Sequence, residues 1–497
     1  MEDVEKMSDV TITNVGEIKE KSQKSLKWSF LGELFAKLAA PLSTMILARL
    51  LAPEIYGIAT AVTIVVSFCE TVAESGFAKF LIQASFKDKE EFDKHISVAL
   101  IVSLLLSIIG VAVIFFARYP LSSIVGNSGY EMVLVVSAFQ IPFAATNAIF
   151  AAILRRDFNF RFLFFVRIFS CLPPFLVSIP LALMHFGHWS LVIGSIAVIV
   201  IQTPILIFAC RKHLKIYFSF AVLKRMFMFS FAMIIESIII WFCAWSSTFL
   251  AANFFNSTAV GLIKVGNTTV NSIFNLFSIP FISVLFPTLS RLKDNDKEFE
   301  DAFHRIQSVA TAIIVPLGIG GYFYSTAICS ILLGPEWGEA SNVIALLTVN
   351  IAIATSTSYF LSEVFRSKGH FVSSIIYQVI MLVLSIGLHL LMGRDSIDLF
   401  LTAGLLTTVI MFVLAIFILK FRYKFSVRKI AADYGVALFC SAFMIPLIFV
   451  SRANETNNIR TLCRIVICGI AYISVFAWLF KDRFATLTEF VLTKRKK

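Results

Sequence analysis

The sequence predicts an all-α membrane protein with about fourteen transmembrane helices. Of its 497 residues, 58% are hydrophobic and only 15% are charged, and the mean hydropathy is +0.86. A soluble domain keeps roughly 25% charged residues because its surface must be solvated, so the excess apolar surface of this chain must face lipid. A hydrocarbon core ~30 Å thick takes about 20 apolar residues for each helical crossing. The length therefore allows more than a dozen crossings and leaves little for an extramembrane domain.

Fourteen apolar stretches follow a polar tail of mixed charge, residues 1–27, which lacks the pattern of a signal peptide. Each stretch is long enough to cross a bilayer once. The stretches are 28–50, 57–84, 95–117, 130–153, 162–184, 189–210, 227–252, 258–288, 304–326, 340–363, 371–392, 398–419, 431–450 and 461–480.

The distribution of Lys and Arg residues predicts the orientation. With the N-terminus in the cytoplasm, 33 of the 43 cations fall on cytoplasmic segments and only six on the outer connections. Cytoplasmic loops of membrane proteins carry such an excess of cations, and one missed helix would invert the alternation. We therefore expect both termini to be cytoplasmic. The basic residues stand between apolar runs and form no continuous patch, so they favour contact with anionic lipid headgroups over nucleic acid.

An internal repeat indicates how the helices are grouped. The segment Leu47–Ile58 aligns with Ala251–Leu262, and the alignment superimposes Gly57 on Gly261. Repeated bundles with a site between them are a recurring plan in transporters. We expect a cytoplasmic tail (1–27), an N-terminal six-helix lobe (28–210), a C-terminal six-helix lobe (227–419), two additional helices (431–480) and a basic cytoplasmic tail (481–497).

Several short motifs carry a resemblance to a known family. Along most of the chain, and densely in its first half, the sequence resembles the bacterial polysaccharide transporters, which are Wzx-type lipid-linked oligosaccharide flippases. The motifs are Ala48–Ile58 (ARLLAPEIYGI), Gly76–Gln83 (GFAKFLIQ), Arg155–Phe160 (RRDFNF), Gly187–Val192 (GHWSLV), Phe286–Ser290 (FPTLS) and Leu332–Trp337 (LLGPEW).

The resemblance implies a fold and a function. The family shares a superfamily of two six-helix lobes with the multidrug and toxic-compound extruders and the peptidoglycan lipid flippases. It implies transfer of an undecaprenyl-pyrophosphate-linked oligosaccharide from the cytoplasmic to the periplasmic leaflet of a bacterial inner membrane, by alternating access. The expected partners are this substrate, membrane lipids and assembly proteins such as a polysaccharide polymerase. The glycan is not identified.

Charged residues inside the apolar stretches are the candidate functional groups. Such residues cost at least ~2.5 kcal/mol each on insertion scales and usually face a cavity or a partner. They fall mainly in the first two helices of each predicted lobe, which we expect to meet at a cleft. They are Glu33, Lys37, Glu70, Glu74, Lys79, Arg167, Glu236 and Lys264.

Lys37 and Lys264 are the first candidates for binding the pyrophosphate. Lys37 lies nine residues into its span, about 13 Å deep, which is too deep for easy snorkelling. Alternatively, each lysine only pairs with a carboxylate, Glu33 or Glu236. Lys79 and Arg167 are further candidate cations of the substrate cavity, but both lie close enough to the cytoplasmic face to snorkel to it.

Glu70 and Glu74 are the candidate site for ion coupling. Their spacing places both carboxylates on one helical face, where neighbouring acids titrate as a coupled pair and can share a proton. The alternative is that Lys79 or another cation simply neutralises them.

Two prolines, Pro41 and Pro280, stand beside the charged cluster. Proline removes a helical hydrogen bond and favours a kink, so both are candidate hinges, with a fixed kink as the alternative. His185 and His188 have no cysteine or carboxylate near them, and we expect no metal site there. The sequence contains no Walker A, GxSxG or HExxH pattern, so we expect neither a cofactor nor catalysis.

Two other classes of function stay open. A drug or small-cation extruder of the same superfamily should carry mainly acidic cavity residues, whereas this chain mixes acids with Lys37 and Lys264. A membrane polysaccharide polymerase or ligase commonly has a long outer loop, and the predicted outer connections here are short.

Overall fold

The computed structural model describes residues 35–36, 39–84, 86–126, 128–446 and 458–480, and within these ranges it contains helices and no strand. Short helices at Arg118–Ile124 and Ser325–Leu332 lie between the longer ones. The longer helices are α1 (Ala39–Ala48), α2 (Pro53–Gln83), α3 (Lys89–Phe116), α4 (Glu131–Arg156), α5 (Phe160–Leu183), α6 (His188–His213), α7 (Phe220–Phe254), α8 (Ser257–Arg291), α9 (Asp296–Phe323), α10 (Ala340–Ser367), α11 (Phe371–Met392), α12 (Ile397–Phe421), α13 (Val427–Pro446) and α14 (Asn458–Leu479).

Eleven of these helices are long and apolar enough to cross a membrane, in the part of the chain that the structure describes. The other three are α1 and α14, whose apolar parts are shorter, and α8, which is 35 residues long. The prediction of an all-α multi-pass membrane protein is therefore confirmed. The exact count of fourteen crossings stays a prediction.

The start of several helices follows from a capping side chain in the sequence. Asp88 accepts a hydrogen bond from the Glu91 amide at 2.7 Å at the start of α3. Asn256 caps α8 at 2.9 Å, and Ser396 caps α12 at 3.2 Å. A side-chain oxygen at this position satisfies one of the four amide groups that a helix start leaves unpaired.

The burial of apolar side chains explains the composition. Leu81, Ile96 and Phe150 are at most 1% exposed and belong to one apolar core cluster. Many other large apolar side chains point outward, such as Phe116 at 81% exposure and Leu391 at 83%. An exposed apolar surface of this extent is unfavourable in water, whereas lipid solvates it.

The chain forms two compact units. Unit 1 takes the described residues within 1–43, 62–123 and 128–241, and unit 2 takes those within 44–61, 124–127 and 242–497. Helices α2 and α7 thus contribute residues to both units. The division into lobes at 28–210 and 227–419, followed by an extra helix pair, stays a prediction.

Within unit 2, two glycines allow α2 and α8 to cross at backbone contact. A Cβ atom on Gly57 would lie 1.7 Å from the carbonyl oxygen of Ser257, and a Cβ on Gly261 would lie 1.8 Å from that of Pro53. Real Cβ atoms do not approach another atom this closely. The two glycines that the internal repeat superimposes therefore form the two sides of one helix crossing, which gives the repeat a structural reason.

We predict that Gly57→Ala destabilises the protein by roughly 1–3 kcal/mol, the usual cost of overpacking a tight contact. The measurement is the thermal unfolding midpoint of the purified protein in detergent. Gly387→Ala in α11 is the matched control, because its Cβ would meet nothing within 4 Å and alanine is the better helix former by ~1 kcal/mol. An equal midpoint for the two variants would show that the close crossing is unimportant.

Candidate functional site

A charged cavity of about 490 Å³ lies inside unit 1. Two carboxylates of α2, Glu70 and Glu74, and two guanidinium groups, Arg155 of α4 and Arg167 of α5, line it. The same helices are otherwise apolar enough to cross a membrane. Because charged groups among apolar membrane helices need water, a partner or a ligand, we take this unit 1 cavity as the centre of the candidate site.

Glu70 is held in place by a chain of hydrogen bonds from neighbouring helices. The Gln140 Nε2 of α4 donates to Glu70 Oε1 at 2.8 Å, and the Ser195 Oγ of α6 donates to Gln140 Oε1 at 3.4 Å. Gln140 is only 8% exposed, so it has few other orientations. This contact fixes the carboxylate toward the cavity and joins three helices.

Asn147 adds an unsatisfied acceptor to the cavity wall. Its Nδ2 donates to the carbonyl oxygen of Ile199 at 3.1 Å, whereas its Oδ1 is buried and has no hydrogen-bond partner. Leaving a buried acceptor unpaired costs about 1–3 kcal/mol. Asn147 lines the same cavity as Glu70 and Glu74, so the cavity wall contains a buried acceptor besides the two carboxylates.

Lys79 does not pair with Glu70 or Glu74, the two candidates for ion coupling. Its Nζ lies 3.1 Å from Glu236 Oε2 and donates to Ser237 Oγ at 3.2 Å. Lys79 is therefore not the cation that neutralises Glu70 and Glu74 in this structure; the alternative that another cation does so stays open, since Arg155 and Arg167 line the same cavity. The predicted alternative in which Lys264 pairs with Glu236 is also not observed. Glu236 of α7 instead pairs with Lys79 of α2.

Lys264 lies on a polar face of α8 in unit 2. Its Nζ is 4.8 Å from the centre of the Trp245 ring, a cation–π geometry. Asn267, Asn271 and Asn275 follow at intervals of three or four residues, so they share one helical face with it. Asn267 is exposed, and Asn271 Nδ2 donates to Asn267 Oδ1 at 2.6 Å. We call these four residues the α8 polar face.

The roles of four predicted site residues stay predictions. Glu33 and Lys37 lie outside the described residues. Pro41 lies in α1, and Pro280 lies within α8, which continues unbroken from Ser257 to Arg291. A hinge at either proline stays a prediction.

Sequence reasoning missed Gln140, Asn147 and the asparagines of the α8 polar face. A usable signal was present, since amide side chains inside apolar stretches carry a desolvation cost much as charges do. The regular spacing of Asn267, Asn271 and Asn275 is the clearest part of that signal, because it marks one side of a helix.

Two of the family-like motifs meet each other in unit 2. The buried Trp337 donates from Nε1 to the carbonyl oxygen of Ala48 at 2.6 Å, and its ring stands edge-on to Tyr56 at 5.5 Å. Arg49 donates to the carbonyl oxygen of Ile331. The segments ARLLAPEIYGI and LLGPEW are thus the two halves of one packed junction.

In a third motif, Arg155–Phe160, the two arginines have different contacts. Arg155 lines the unit 1 cavity, whereas Arg156 donates to the carbonyl oxygens of Leu81 at 2.8 Å and Ala84 at 2.7 Å. These carbonyls end α2, where cations are favourable. Arg156 therefore caps the helix that carries both glutamates.

Comparison with protein families identifies related sequences. A model described as "Polysaccharide biosynthesis protein" matches residues 46–342. An uncharacterised membrane protein from the cps region of Klebsiella pneumoniae is 24% identical over 324 residues, 64% of this chain and 66% of that protein. The succinoglycan biosynthesis transport protein ExoT of Rhizobium meliloti is 22% identical over 338 residues, 68% of each chain. The matches thus span about two thirds of the length of these relatives.

Solved structures show the same fold. The lipid II flippase MurJ in an inward closed conformation superimposes with a TM-score of 0.76 at 15% identity, covering 91% of this chain and 99% of that one. An inward-facing multidrug resistance transporter of the MATE family gives a TM-score of 0.60 at 13% identity, covering 78% and 94%. The likeness extends over most of the chain and establishes the helical architecture.

We predict that Lys79→Met destabilises the protein, because it removes the cation that lies 3.1 Å from Glu236 between two apolar helices. The double variant Lys79→Met/Glu236→Gln should recover part of the loss. A double-mutant cycle on the unfolding midpoint, with Glu236→Gln as the fourth corner, should give an interaction energy between about 0.5 and 3 kcal/mol. Strictly additive effects would show that the contact does not stabilise the protein.

Proposed function

Because the chain belongs to the polysaccharide biosynthesis protein family, we propose that it flips undecaprenyl-pyrophosphate-linked oligosaccharide repeat units across the bacterial cytoplasmic membrane by alternating access. The observation that carries the proposal is the unit 1 cavity, where two carboxylates and two guanidinium groups face one space inside apolar helices. A charged cavity in such helices is suited to a substrate that is itself charged. Both termini are then cytoplasmic, and the chain transports its substrate without chemical change.

We assign the cations of the cavity to binding the pyrophosphate. Arg155 and Arg167 line the unit 1 cavity, and guanidinium groups bind phosphate oxygens through paired hydrogen bonds. Lys264 on the α8 polar face and Lys37 are the further cations that we assign to the substrate path. Lys79 is already bound to Glu236, so we assign it to holding α2 against α7.

The α8 polar face suits the sugar part of the substrate. Asparagine amides offer both donors and acceptors, which match the hydroxyl groups of a glycan. Trp245 beside Lys264 adds an aromatic ring. Polar residues repeated along a membrane helix are stable only where the face lines a water-filled space, and an oligosaccharide needs such a space to pass.

An apolar cavity in unit 2 suits the lipid tail. It measures about 630 Å³ and is lined mostly by apolar side chains of α8, α9 and α14, among them Phe274, Leu317, Tyr472 and Phe476. The cavity is as apolar as the bilayer interior, so a polyprenyl chain that enters it avoids the cost of exposure to water, about 0.8 kcal/mol for each methylene group. The tail can therefore stay in an apolar environment while the polar head crosses.

Glu70 and Glu74 are assigned to energy coupling. They stand one helical turn apart on the wall of one cavity, and Gln140 orients the first of them. Two carboxylates in this setting repel each other when both are ionised, so each cycle can take up and release a proton or a sodium ion there. Asn147 Oδ1 supplies an additional oxygen.

A cation-coupled drug extruder is the second candidate function. The observation that favours it is the presence of Glu70 and Glu74 in the unit 1 cavity, since acidic residues attract cationic drugs. The guanidinium groups of Arg155 and Arg167 at the same cavity weaken that attraction and favour a phosphorylated substrate.

We predict that proteoliposomes containing the purified protein flip a lipid-linked oligosaccharide, whereas protein-free liposomes do not. The measurement follows the accessibility of the sugar to an external lectin or glycosidase, with an imposed pH gradient and, separately, a sodium gradient. Transport of a cationic dye with no movement of the lipid-linked sugar would favour the extruder.

In the same assay, Glu70→Gln/Glu74→Gln should reduce gradient-stimulated flipping at least tenfold while flipping driven by the substrate gradient persists. Glutamine keeps the size and hydrogen bonding of glutamate but does not titrate. Glu336→Gln, which removes a carboxylate outside the cavity lining, is the control. Unchanged gradient stimulation in the double variant would exclude the pair as the coupling site.

A further inference from the structure

The charges that line the unit 1 cavity balance each other before a substrate enters. Two carboxylates, Glu70 and Glu74, and two guanidinium groups, Arg155 and Arg167, share a space of about 490 Å³. With all four groups ionised, two positive charges stand against two negative ones, and the described lining has no net charge. A space of this volume is roughly 10 Å across, close to the Debye length of ~8 Å at physiological ionic strength, so each charge acts on the others.

The neighbouring helices add no further charge to the described lining. The side chains that α6 contributes, such as Gln202, are uncharged. Lys79 of α2 is bound to Glu236 of α7 at 3.1 Å, so that pair is neutral as a whole. A thiol is a weaker acid than a carboxylic acid, so Cys69, next to Glu70 along α2, adds no charge near neutral pH. The balance of the cavity therefore depends on its two acids and two arginines.

A lipid-linked sugar brings negative charge into this balance. A pyrophosphate that joins a lipid to a sugar carries two negative charges, because each of its phosphate groups is a diester with one ionised oxygen. If both glutamates stayed ionised, its entry would change the net charge of the cavity from zero to minus two. A net charge among apolar helices is costly. Neutralising Glu70 and Glu74 returns the loaded cavity to zero.

The substrate and the glutamates also compete for the same cations. Arg155 acts on Glu74 through its charge, and a phosphate that binds Arg155 and Arg167 takes this counter-ion away. Glu70 keeps its hydrogen bond from Gln140 Nε2 at 2.8 Å, since both an ionised and a protonated carboxyl group can accept it. The loaded cavity then holds two neighbouring carboxyl groups without a counter-ion, an arrangement that favours the neutral form.

We propose, on the basis of the proposed function, that the substrate and monovalent cations, either protons or Na⁺, bind to the unit 1 cavity together and not in exchange for each other. Each glutamate takes one cation from the aqueous phase as the pyrophosphate binds, and gives it back when the pyrophosphate leaves. The loaded cavity is therefore neutral while its access changes from one side to the other. A gradient accelerates flipping when the higher cation concentration is on the side where the lipid starts.

The test is isothermal titration calorimetry on the full-length protein in a neutral detergent. The probe is farnesyl-pyrophosphoryl-N-acetylglucosamine, whose two phosphate diesters do not titrate near neutral pH. Buffers of different ionisation enthalpy report the number of protons taken up. Each linked proton changes the affinity by up to about tenfold per pH unit, so we expect at least tenfold tighter binding at pH 6 than at pH 9.

A second series replaces choline chloride by sodium chloride at constant ionic strength. Tighter binding in sodium without proton uptake would identify Na⁺ as the cation, and proton uptake without an effect of sodium would identify the proton. Affinity that is independent of both cations, or that falls as either one rises, would overturn the proposal.

The variant Glu70→Gln/Glu74→Gln should bind the probe independently of pH and sodium, and at pH 9 at least tenfold more tightly than the unchanged protein. Glutamine imitates the neutral acid in size and hydrogen bonding. Glu336→Gln, outside the cavity lining, is the matched control and should keep the full cation dependence. Size-exclusion chromatography verifies that both variants are folded. Weaker binding by the double variant would contradict the proposal, because the carboxylates would then hold the substrate themselves.

The variant Arg155→Gln/Arg167→Gln separates this inference from the proposed function. It should bind the probe at least tenfold more weakly than the unchanged protein. If the unchanged protein does not bind the probe, or the arginine variant binds it equally well, the proposed pyrophosphate site is wrong and the inference falls with it. Binding that needs the arginines but shows no cation dependence would overturn the inference alone.

Discussion

The cost of placing charged and amide groups in a hydrocarbon medium is the constraint on which the architecture depends. The polar groups of the candidate site meet that cost in different ways. Lys79 and Glu236 pair with each other at 3.1 Å, and Glu70 accepts a hydrogen bond from Gln140. Arg155 and Arg167 line the unit 1 cavity. The pairs hold helices together, and the cavity leaves open space among apolar helices.

Close helix packing supplies the rigidity in which these polar groups are held. Gly57 and Gly261 bring the backbones of α2 and α8 into contact within unit 2, and Gly76 does the same for α2 and α7 in unit 1, where its Cβ would lie 2.4 Å from the Ser230 carbonyl oxygen. Small residues permit such contacts between membrane helices, where packing replaces the hydrophobic effect as the driving force. Helix α2 therefore carries Glu70 and Glu74 on a backbone that is held near both of its ends.

Hydropathy predicted the helices well because each must match the thickness of a bilayer. The stretch 371–392 coincides with α11, and 130–153 differs from α4 by one to three residues. The partners of the charged side chains were not predictable, since Lys79 and Glu236 are 157 positions apart and their meeting depends on how α2 packs on α7. The common cavity of Glu70 and Glu74 was predictable in part, because their spacing places them on one face, but the contribution of Arg155 from another helix was not.

The central claim is that polar faces inside these helices line water, and cysteine labelling tests it most directly. Asn267→Cys on the α8 polar face and Ile108→Cys, a 57% exposed apolar site on α3, are compared in a background without the native cysteines. A charged, membrane-impermeant methanethiosulfonate reagent is supplied on both sides of the membrane, where it reacts with thiols that contact water. The account predicts rapid labelling of Asn267→Cys and none of Ile108→Cys. Equal protection of the two positions would contradict it, because α8 would then present its asparagines to lipid or protein.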